Sequence, residues 1–293
     1  MAVVMNRPEI DGLEEAIVVL REWQYDGAPM QLHPGDLGWF WRFGAAATAA
    51  AVRTWSRDGR VLAVGLLDGP GLLRITFAPD AMRDEELARG VVEDVTEPER
   101  GVLNAGKANI EAPAGALVHS LLSERGWRTD EPWSPLRRDL TEPVETALFA
   151  DMGLRIEVVG PERVDVRTAL QRASFDGSTF TDERWHAMAA GPAYADARCL
   201  VAYDDRGNGV ATATVWSAGV GRPGLLEPVG AHREHRGHGY GKAITVAAAA
   251  ALRELGASSA VVCTPSSNVA GVAAYKSAGF QPLPEVHDKY RDA

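Results

Sequence analysis

The feature that most constrains the fold is a glycine-rich loop between a predicted strand and a predicted helix. The strand ends near Val229, a polar loop follows, and glycines stand at Gly237, Gly239 and Gly241 before an alanine-rich stretch. Glycine adopts backbone conformations closed to other residues and lets a ligand approach the main chain. The N–H groups of such a loop and of the next helix converge on one point, which the helix dipole makes favourable for an anion. The segment therefore predicts an anion site in an α/β fold.

Basic side chains around the loop favour a pyrophosphate as this anion. They belong to Arg233, Arg236 and Lys242. Two common phosphate loops do not fit the pattern. A dinucleotide-binding loop follows the first strand and needs an acidic residue about 20 positions on, whereas this loop comes after a later strand and Ala257–Cys263 contains no acid. A P-loop needs Ser or Thr after Gly-Lys, and here the next residue is Ala243.

The two halves of the chain repeat one order of predicted elements. Each half runs through strand, turn, strand, turn, strand and helix, and each closes with a later helix stopped by glycine, at Gly126 and at Gly279. A repeat of this length indicates two copies of one domain rather than a solenoid. We therefore predict an α/β (α+β) protein with domains at residues 1–145 and 146–293, each a mixed, mostly antiparallel sheet flanked by helices. Within the first domain, Pro34 and Gly35 predict a loop over residues 31–38.

Composition excludes several classes of protein. A net charge of −10 disfavours a nucleic-acid binder or a polybasic membrane-surface protein, and 46% hydrophobic residues are enough for a buried core. No apolar run approaches the roughly 20 residues that span a bilayer, and the first residues do not resemble a signal peptide. Only Cys199 and Cys263 are present, which is typical of a reducing compartment. We therefore expect a cytoplasmic protein that binds neither nucleic acid nor membrane, as a monomer or homodimer.

Three segments in the right order resemble one family. Arg236-Gly237-His238-Gly239-Tyr240-Gly241 is similar to the Arg/Gln-x-x-Gly-x-Gly/Ala signature of the GNAT superfamily of N-acetyltransferases. The run 227–235 resembles the splayed fourth strand of that family, and the run 268–280 resembles its late helix, in which an asparagine and a tyrosine recur at this spacing. The resemblance covers about residue 154 to the C-terminus. It implies two tandem GNAT-like domains, with the working site in the second.

The resemblance also implies a binding role for individual residues, with acetyl-CoA as the cosubstrate and no metal. The backbone of Val229 and Ala231 would pair with pantetheine, and Asn268 would contact the same arm. The pyrophosphate would be held by the loop and the start of the helix, through side chains or backbone N–H groups of Arg236, Gly237, His238, Gly239, Tyr240, Gly241 and Lys242.

The resemblance implies a catalytic acid, and the acceptor strand suggests a base. Tyr275 would lie near the thioester sulfur and protonate the leaving thiolate. An amine must lose a proton before or during its attack, and Glu227 is placed by its strand to accept it, with binding of a cationic acceptor as the alternative role. The expected reaction is transfer of an acetyl group to a primary amine of a small molecule by direct attack in a ternary complex.

Some alternatives stay open at this stage. The protein is instead a non-catalytic acyl-CoA-binding regulator if it lacks turnover, or a nucleotide-binding scaffold if it prefers ATP or NAD. Tandem relatives include mycothiol synthase, so an amino-sugar conjugate is one possible acceptor. His232, His235 and His238 are spaced by threes, but loop side chains are expected to diverge, so no metal site is predicted. The matching stretch of the first half, residues 77–86, has no glycine and several acids, which indicates a degenerate copy.

Overall fold

The computed structural model describes residues 2–292 and has a mixed α/β fold. The strands are β1 Val4–Asn6, β2 Val52–Arg57, β3 Arg60–Leu67, β4 Leu72–Phe77, β5 Ala108–Glu111, β6 Arg128–Asp139, β7 Arg155–Val158, β8 Ala197–Tyr203, β9 Gly209–Trp216, β10 Gly224–Ala231, β11 Ser259–Pro265, β12 Gln281–Pro282 and β13 Val286–Arg291. The α-helices are α1 Leu13–Glu22, α2 Pro34–Phe40, α3 Ala45–Ala51, α4 Glu85–Thr96, α5 Val118–Glu124, α6 Leu148–Asp151, α7 Val164–Ser174, α8 Asp182–Ala189, α9 Tyr240–Glu254 and α10 Val269–Ser277.

The chain divides into two compact units, each made of separate segments. Unit 1 consists of Met1–His33, Ala45–Trp133 and Glu285–Ala293, and unit 2 consists of Pro34–Gly44 and Ser134–Pro284. The predicted domain boundary at residue 145 was placed from the repeated order of elements in the sequence, and it stays a prediction. The units show in addition that short segments of each half of the chain complete the fold of the other.

The same topology occurs in both units. In unit 1, β2, β3 and β4 are antiparallel neighbours, α4 follows, and β5 returns parallel to β4. In unit 2, β8, β9 and β10 are antiparallel neighbours, α9 follows, and β11 returns parallel to β10. The Asp58-Gly59 turn joins β2 to β3 with positive φ at both residues, as a tight hairpin requires. The predicted repeat of mostly antiparallel sheets with flanking helices is confirmed.

Helix α9 forms the centre of the core of unit 2. Its alanines are buried together with Ile244 and Leu252 against β8 and β9. Small side chains let the helix approach the sheet closely, while its two large side chains fill the space between strands. The helix ends before Gly256, whose φ of +81° is the left-handed conformation of a glycine at C′. The predicted helix after the glycine loop is therefore confirmed.

The predicted loop over residues 31–38 is found at residues 31–33 and is wrong from Pro34 onward, because Pro34 begins helix α2. Proline is well suited to the first turn of a helix, where its missing N–H would have no partner. Gly35 and Gly38 are buried against Trp216 of β9: a Cβ at these positions would lie 2.5 and 2.4 Å from atoms of that side chain. Their function is close packing within unit 2, which a reading of glycine as a helix breaker cannot detect.

Candidate functional site

Strand β10 separates from its parallel neighbour partway along its length. It pairs with β11 at Gly224 and Leu225, whereas its antiparallel pairing with β9 continues to Ala231. The register on β9 shifts between Leu226 and Val229, which is the position of a bulge. Residues 228–231 of β10 thus have no pairing with β11 among the described residues. Unpaired backbone groups of this kind accept an extended ligand as an additional strand.

The glycine loop lies directly beyond this open edge. Gly237 and Gly239 have φ of +83° and +82°, which L-residues with side chains rarely adopt. Gly239 is also the N-cap of α9, and no described side chain caps this helix. The first N–H groups of a helix have no intrahelical acceptor, so α9 presents uncapped donors at its positive end. This is the arrangement that binds phosphate at a helix N-terminus.

A single cleft of about 700 Å³ joins the strand edge, the loop and helix α10. Most of the residues that the sequence pointed to lie on its walls: Val229, Ala231, Arg236, Gly237, Gly239, Tyr240, Gly241, Lys242, Asn268 and Tyr275. Two do not, namely His238 and Glu227. The structure therefore brings together residues more than 40 positions apart in the sequence, from three elements of unit 2.

The arginines of the loop hold the C-terminal end of α7. Arg233 donates to the carbonyls of Arg172 and Ala173 at 2.9 Å and pairs with Asp176 at 3.0 Å. Arg236 donates through Nη2 to the carbonyl of Ser174 at 3.0 Å. These bonds satisfy helix-end carbonyls and fix the loop. Among the described residues Lys242 has no acidic partner, so its ammonium group is the loop cation that is available to an anion in the cleft.

Asn268 is the N-cap of α10. Its Oδ1 accepts from the N–H of Gly271 at 3.1 Å, and its Nδ2 donates to Thr264 Oγ1 at 2.9 Å. An asparagine in this position stabilises the start of the helix. Sequence comparison with the GNAT pattern assigned Asn268 to a ligand, and the structure adds a capping role for the same side chain.

Tyr275 lines the cleft, and the charge of Glu227, which lies outside the cleft lining, acts on its hydroxyl. The ring of Tyr275 is buried in α10 and lies 6.1 Å from that of Phe280. Burial raises the pKa of the Tyr275 hydroxyl well above its ordinary value, and the negative charges of Glu227 and Cys263 raise it further. Glu227 is partly exposed, and its carbonyl accepts from Trp216 Nε1 at 2.7 Å, which fixes the bulge of β10. The hydroxyl is thus kept protonated at neutral pH.

The expectation that the histidine side chains diverge is wrong. The rings of His232 and His235 lie 4.9 Å apart, and His238 stacks on Tyr240 at 5.7 Å with an angle of 17° between the planes. His235 lines the cleft. His238 does not line it, and its Nδ1 lies 3.2 and 3.1 Å from the carbonyl oxygens of His235 and Arg236, within the loop itself.

Some residues of the cleft were not found by sequence reasoning. Ser174, at the end of α7, and Thr245, in α9, both line it. A serine at a helix end has no pattern that distinguishes it from a cap or a turn. Phe175 also lines the cleft, whereas Phe180 and Trp185 are each 3% exposed. Phe175 thus belongs to the cleft, and Phe180 and Trp185 belong to buried packing.

The matching place in unit 1 has the opposite electrostatics. The N-cap of α4 is Asp84, whose carboxylate accepts from the N–H of Leu87 at 2.9 Å and pairs with Arg57 at 2.6 Å. The ion pair with Arg57 and the bond from Leu87 lower the pKa of Asp84. A carboxylate therefore already occupies the positive end of this helix, where α9 has a glycine.

Two classes of feature are absent from the part of the chain that the structure describes. Residues 2–292 include no group of three or more His, Cys, Asp or Glu side chains arranged to hold a metal ion. Over the same residues, no helix has the length and the apolar composition that crossing a bilayer requires.

An open strand edge that leads to an uncapped helix N-terminus is an arrangement suited to a long ligand that ends in phosphates. The comparisons with known proteins agree with this. Residues 165–280 match the model of the Acetyltransferase (GNAT) family. Members of the family take an acyl group from acyl-CoA. No curated protein is significantly similar in sequence to the chain.

Solved structures resemble the whole chain in fold. A tandem GNAT protein from the clavulanic acid biosynthesis pathway superposes with a TM-score of 0.63 at 14% identity, over 99% of this chain and 98% of its own. A GCN5-related N-acetyltransferase from Sphaerobacter thermophilus gives 0.60 at 17%, over 99% and 95%. A GNAT-family acetyltransferase from Colwellia psychrerythraea gives 0.61 at 12%, over 100% of both chains. At these identities the likeness concerns the fold, and it agrees with two tandem domains.

Proposed function

We propose that the protein transfers an acetyl group from acetyl-CoA to a primary amine of a small molecule, at the cleft of unit 2. The observation that supports this most strongly is the continuity of the cleft from the open edge of β10 to the uncapped start of α9. Acetyl-CoA has the matching order of parts, since its extended pantetheine arm ends in a pyrophosphate. The left-handed glycines leave the loop free of side chains where phosphate oxygens must approach.

Each predicted binding residue has a defined task in this proposal. The backbones of Val229 and Ala231 pair with the pantetheine arm along the unpaired strand edge. N–H groups of the loop and of the first turn of α9 bind the pyrophosphate, and the Lys242 ammonium group balances its charge. The contacts of Arg236 with α7 support a positioning role that keeps the loop in place. Asn268 contributes by fixing the start of α10, which carries Tyr275.

In the proposed reaction two side chains move protons, Glu227 and Tyr275. Acetyl-CoA supplies an activated carbonyl carbon in a thioester. Glu227 takes a proton from the incoming ammonium group, directly or through water, and the amine nitrogen forms a bond to the carbonyl carbon. When the carbon–sulfur bond breaks, the Tyr275 hydroxyl gives its proton to the thiolate. The nitrogen then loses its second proton, which returns through water to the Tyr275 phenolate, and Glu227 releases the first proton to solvent. Positioning both substrates in one complex supplies much of the rate.

The acidic N-cap of α4 supports the proposal that the two units have different functions. Asp84 repels a pyrophosphate from the start of that helix, so we assign coenzyme A binding to unit 2 alone. Unit 1 is then a degenerate copy whose task is structural.

Calorimetric titration tests the binding part of the proposal. We expect CoA to bind and to raise the Tm of the protein, whereas ATP and NAD, which lack the pantetheine arm, bind far more weakly. Equal stabilisation by all three nucleotides would indicate a general nucleotide-binding scaffold and contradict the proposal.

A screen of amines tests the reaction. Acetyl-CoA and a thiol reagent are incubated with amino acids, polyamines, aminoglycosides and amino-sugar conjugates, and we expect thiol release with at least one class. Intersecting initial-rate lines are expected for a ternary complex, and parallel lines would exclude it. CoA binding without release by any amine would instead support a non-catalytic acyl-CoA sensor.

Glu227→Gln is expected to lower kcat about a hundredfold at neutral pH, because it removes the proton acceptor and keeps the size of the side chain. The CoA affinity should stay unchanged, since Glu227 does not line the cleft. As pH rises, amines are increasingly deprotonated in solution, so the defect should shrink. A rise in the KM of the amine with an unchanged kcat would assign Glu227 to acceptor binding instead.

A further inference from the structure

One polar group on the cleft wall has no hydrogen-bond partner. Ser174, the last residue of α7, is 5% exposed and lines the cleft, and its Oγ is unpartnered among the described residues. Buried hydroxyl groups are nearly always hydrogen-bonded in native proteins, and leaving one unpaired is unfavourable. This hydroxyl belongs to a residue on the wall of the cleft, so its hydrogen-bonding capacity is available to a ligand bound there.

Two contacts hold Ser174 beside the open edge of β10. The guanidinium of Arg236 binds its carbonyl at 3.0 Å. On the other side lies Gly230, where a Cβ would come within 2.6 Å of Ser174 Cβ and 3.1 Å of its Oγ. Only glycine allows this approach. Ser174 is therefore fixed over the stretch of β10 between Val229 and Ala231.

We propose that the Ser174 hydroxyl donates a hydrogen bond to an amide carbonyl oxygen of the pantetheine arm, as a further acyl-CoA contact. This inference rests on the proposed function and adds a side-chain contact to the backbone pairing. Ser174 stands at the C-terminus of α7, the negative end of the helix dipole, which disfavours a phosphate at this point. A neutral carbonyl is the acceptor that suits a lone hydroxyl at the strand edge.

The test compares two ligands with two variants by calorimetry. The ligands are CoA and 3′-phospho-ADP, the part of CoA without pantetheine. Ser174→Ala is expected to weaken CoA roughly threefold to tenfold, the usual effect of one neutral hydrogen bond, and to leave 3′-phospho-ADP unchanged. The Tm of the free protein should not fall, because the removed hydroxyl has no partner. Ser277→Ala is the matched control: Ser277 lines the same cleft, but its hydroxyl donates to the carbonyl of Ala274 at 2.8 Å, so both affinities should stay unchanged.

The remaining outcomes overturn the inference. Equal weakening of both ligands by Ser174→Ala would move the contact to a phosphate, and no weakening of either would remove the contact altogether. If the alanine variant does not fold, Ser174→Cys keeps the shape with a much weaker donor and should show the same selective loss; unchanged CoA binding by that variant would contradict the proposal. Failure of the wild-type protein to bind CoA at all would refute the proposed function itself, a result that the variants do not produce.

Discussion

Tyr275→Phe is expected to reduce kcat by about a hundredfold or more, with little change in the affinity for CoA. The substitution removes one hydroxyl from a buried ring and leaves the packing against Phe280 intact. Without this acid the sulfur must leave as a bare thiolate or take its proton from water, and a positioned general acid contributes about 10²- to 10⁴-fold to a rate. The measurement is steady-state thiol release with the best acceptor of the amine screen, together with titration of CoA.

The pH dependence provides a second readout. Burial and the charge of Glu227 raise the pKa of Tyr275 above its ordinary value of about 10. The acid is therefore retained throughout an assay from pH 6 to 9, and loss of its proton should not produce a falling limb there. The same raised pKa affects stability. Because the folded protein holds the Tyr275 proton more strongly than the unfolded chain, the associated stability is fully present below the unfolded-state pKa of about 10 and is lost as the pH rises above it.

Tyr240→Phe is the matched control, because Tyr240 also lines the cleft. Its proposed contribution is a backbone N–H group, which the substitution keeps. Its kcat should remain near that of the wild type. If Tyr275→Phe were as active as Tyr240→Phe, the protonation role of Tyr275 would be wrong and another donor would have to be sought.

Gly241→Asp is expected to abolish measurable CoA binding while the protein stays folded. Gly241 lies in the first turn of α9 with no left-handed φ, and a Cβ there would have Ala274 Cβ as its nearest neighbour, at 3.8 Å. An acidic residue in the first turn of a helix is itself stabilising. The carboxylate would however stand where the pyrophosphate must bind, and two like charges about 5 Å apart repel by about 3 kcal/mol at an effective dielectric constant of 20. This corresponds to a loss of more than a hundredfold.

Gly241→Asn separates charge from bulk. It has nearly the same size as the aspartate and no charge, so we expect it to bind CoA at least tenfold more tightly than Gly241→Asp. Affinities are measured by calorimetry, and the Tm of each free variant shows whether it is folded. Equal loss in both variants would mean that side-chain volume, and not repulsion of a pyrophosphate, is responsible, and the anion site would have to be placed elsewhere.

The fold was predictable where local and long-range preferences agree. Gly126 and Gly279 marked helix ends correctly, because a left-handed residue just after a helix is a local requirement and both glycines have positive φ. Helix α2 was missed because the environment of Gly35 and Gly38 is set by Trp216, far away in the sequence. Strand β13 was also missed, since a polar six-residue segment shows its pairing only when its neighbours are known.

The candidate site was predictable to the extent that it is a motif. The glycines, Lys242, Asn268 and Tyr275 stand at spacings that carry information by themselves. Ser174 ends helix α7, which precedes the loop by some sixty residues, and its approach to the cleft depends on Gly230. The charge that Glu227 exerts on Tyr275 is likewise a product of three-dimensional proximity. Sequence spacing thus predicted the candidate ligand-binding loop, whereas the contribution of Ser174 to the cleft could be recognised only in the three-dimensional structure.

The composition of unit 1 has a consequence for how the chain is made. Strand β13 lies between β5 and the first half of β6, with antiparallel pairing to both. A nascent chain that has passed residue 133 therefore holds two strands with unpaired facing edges, and it holds them until residues 286–291 leave the ribosome. Domains usually fold in the order of their synthesis. Here the first unit is completed last, so its exposed strand edges must be protected from aggregation while the whole of unit 2 is translated.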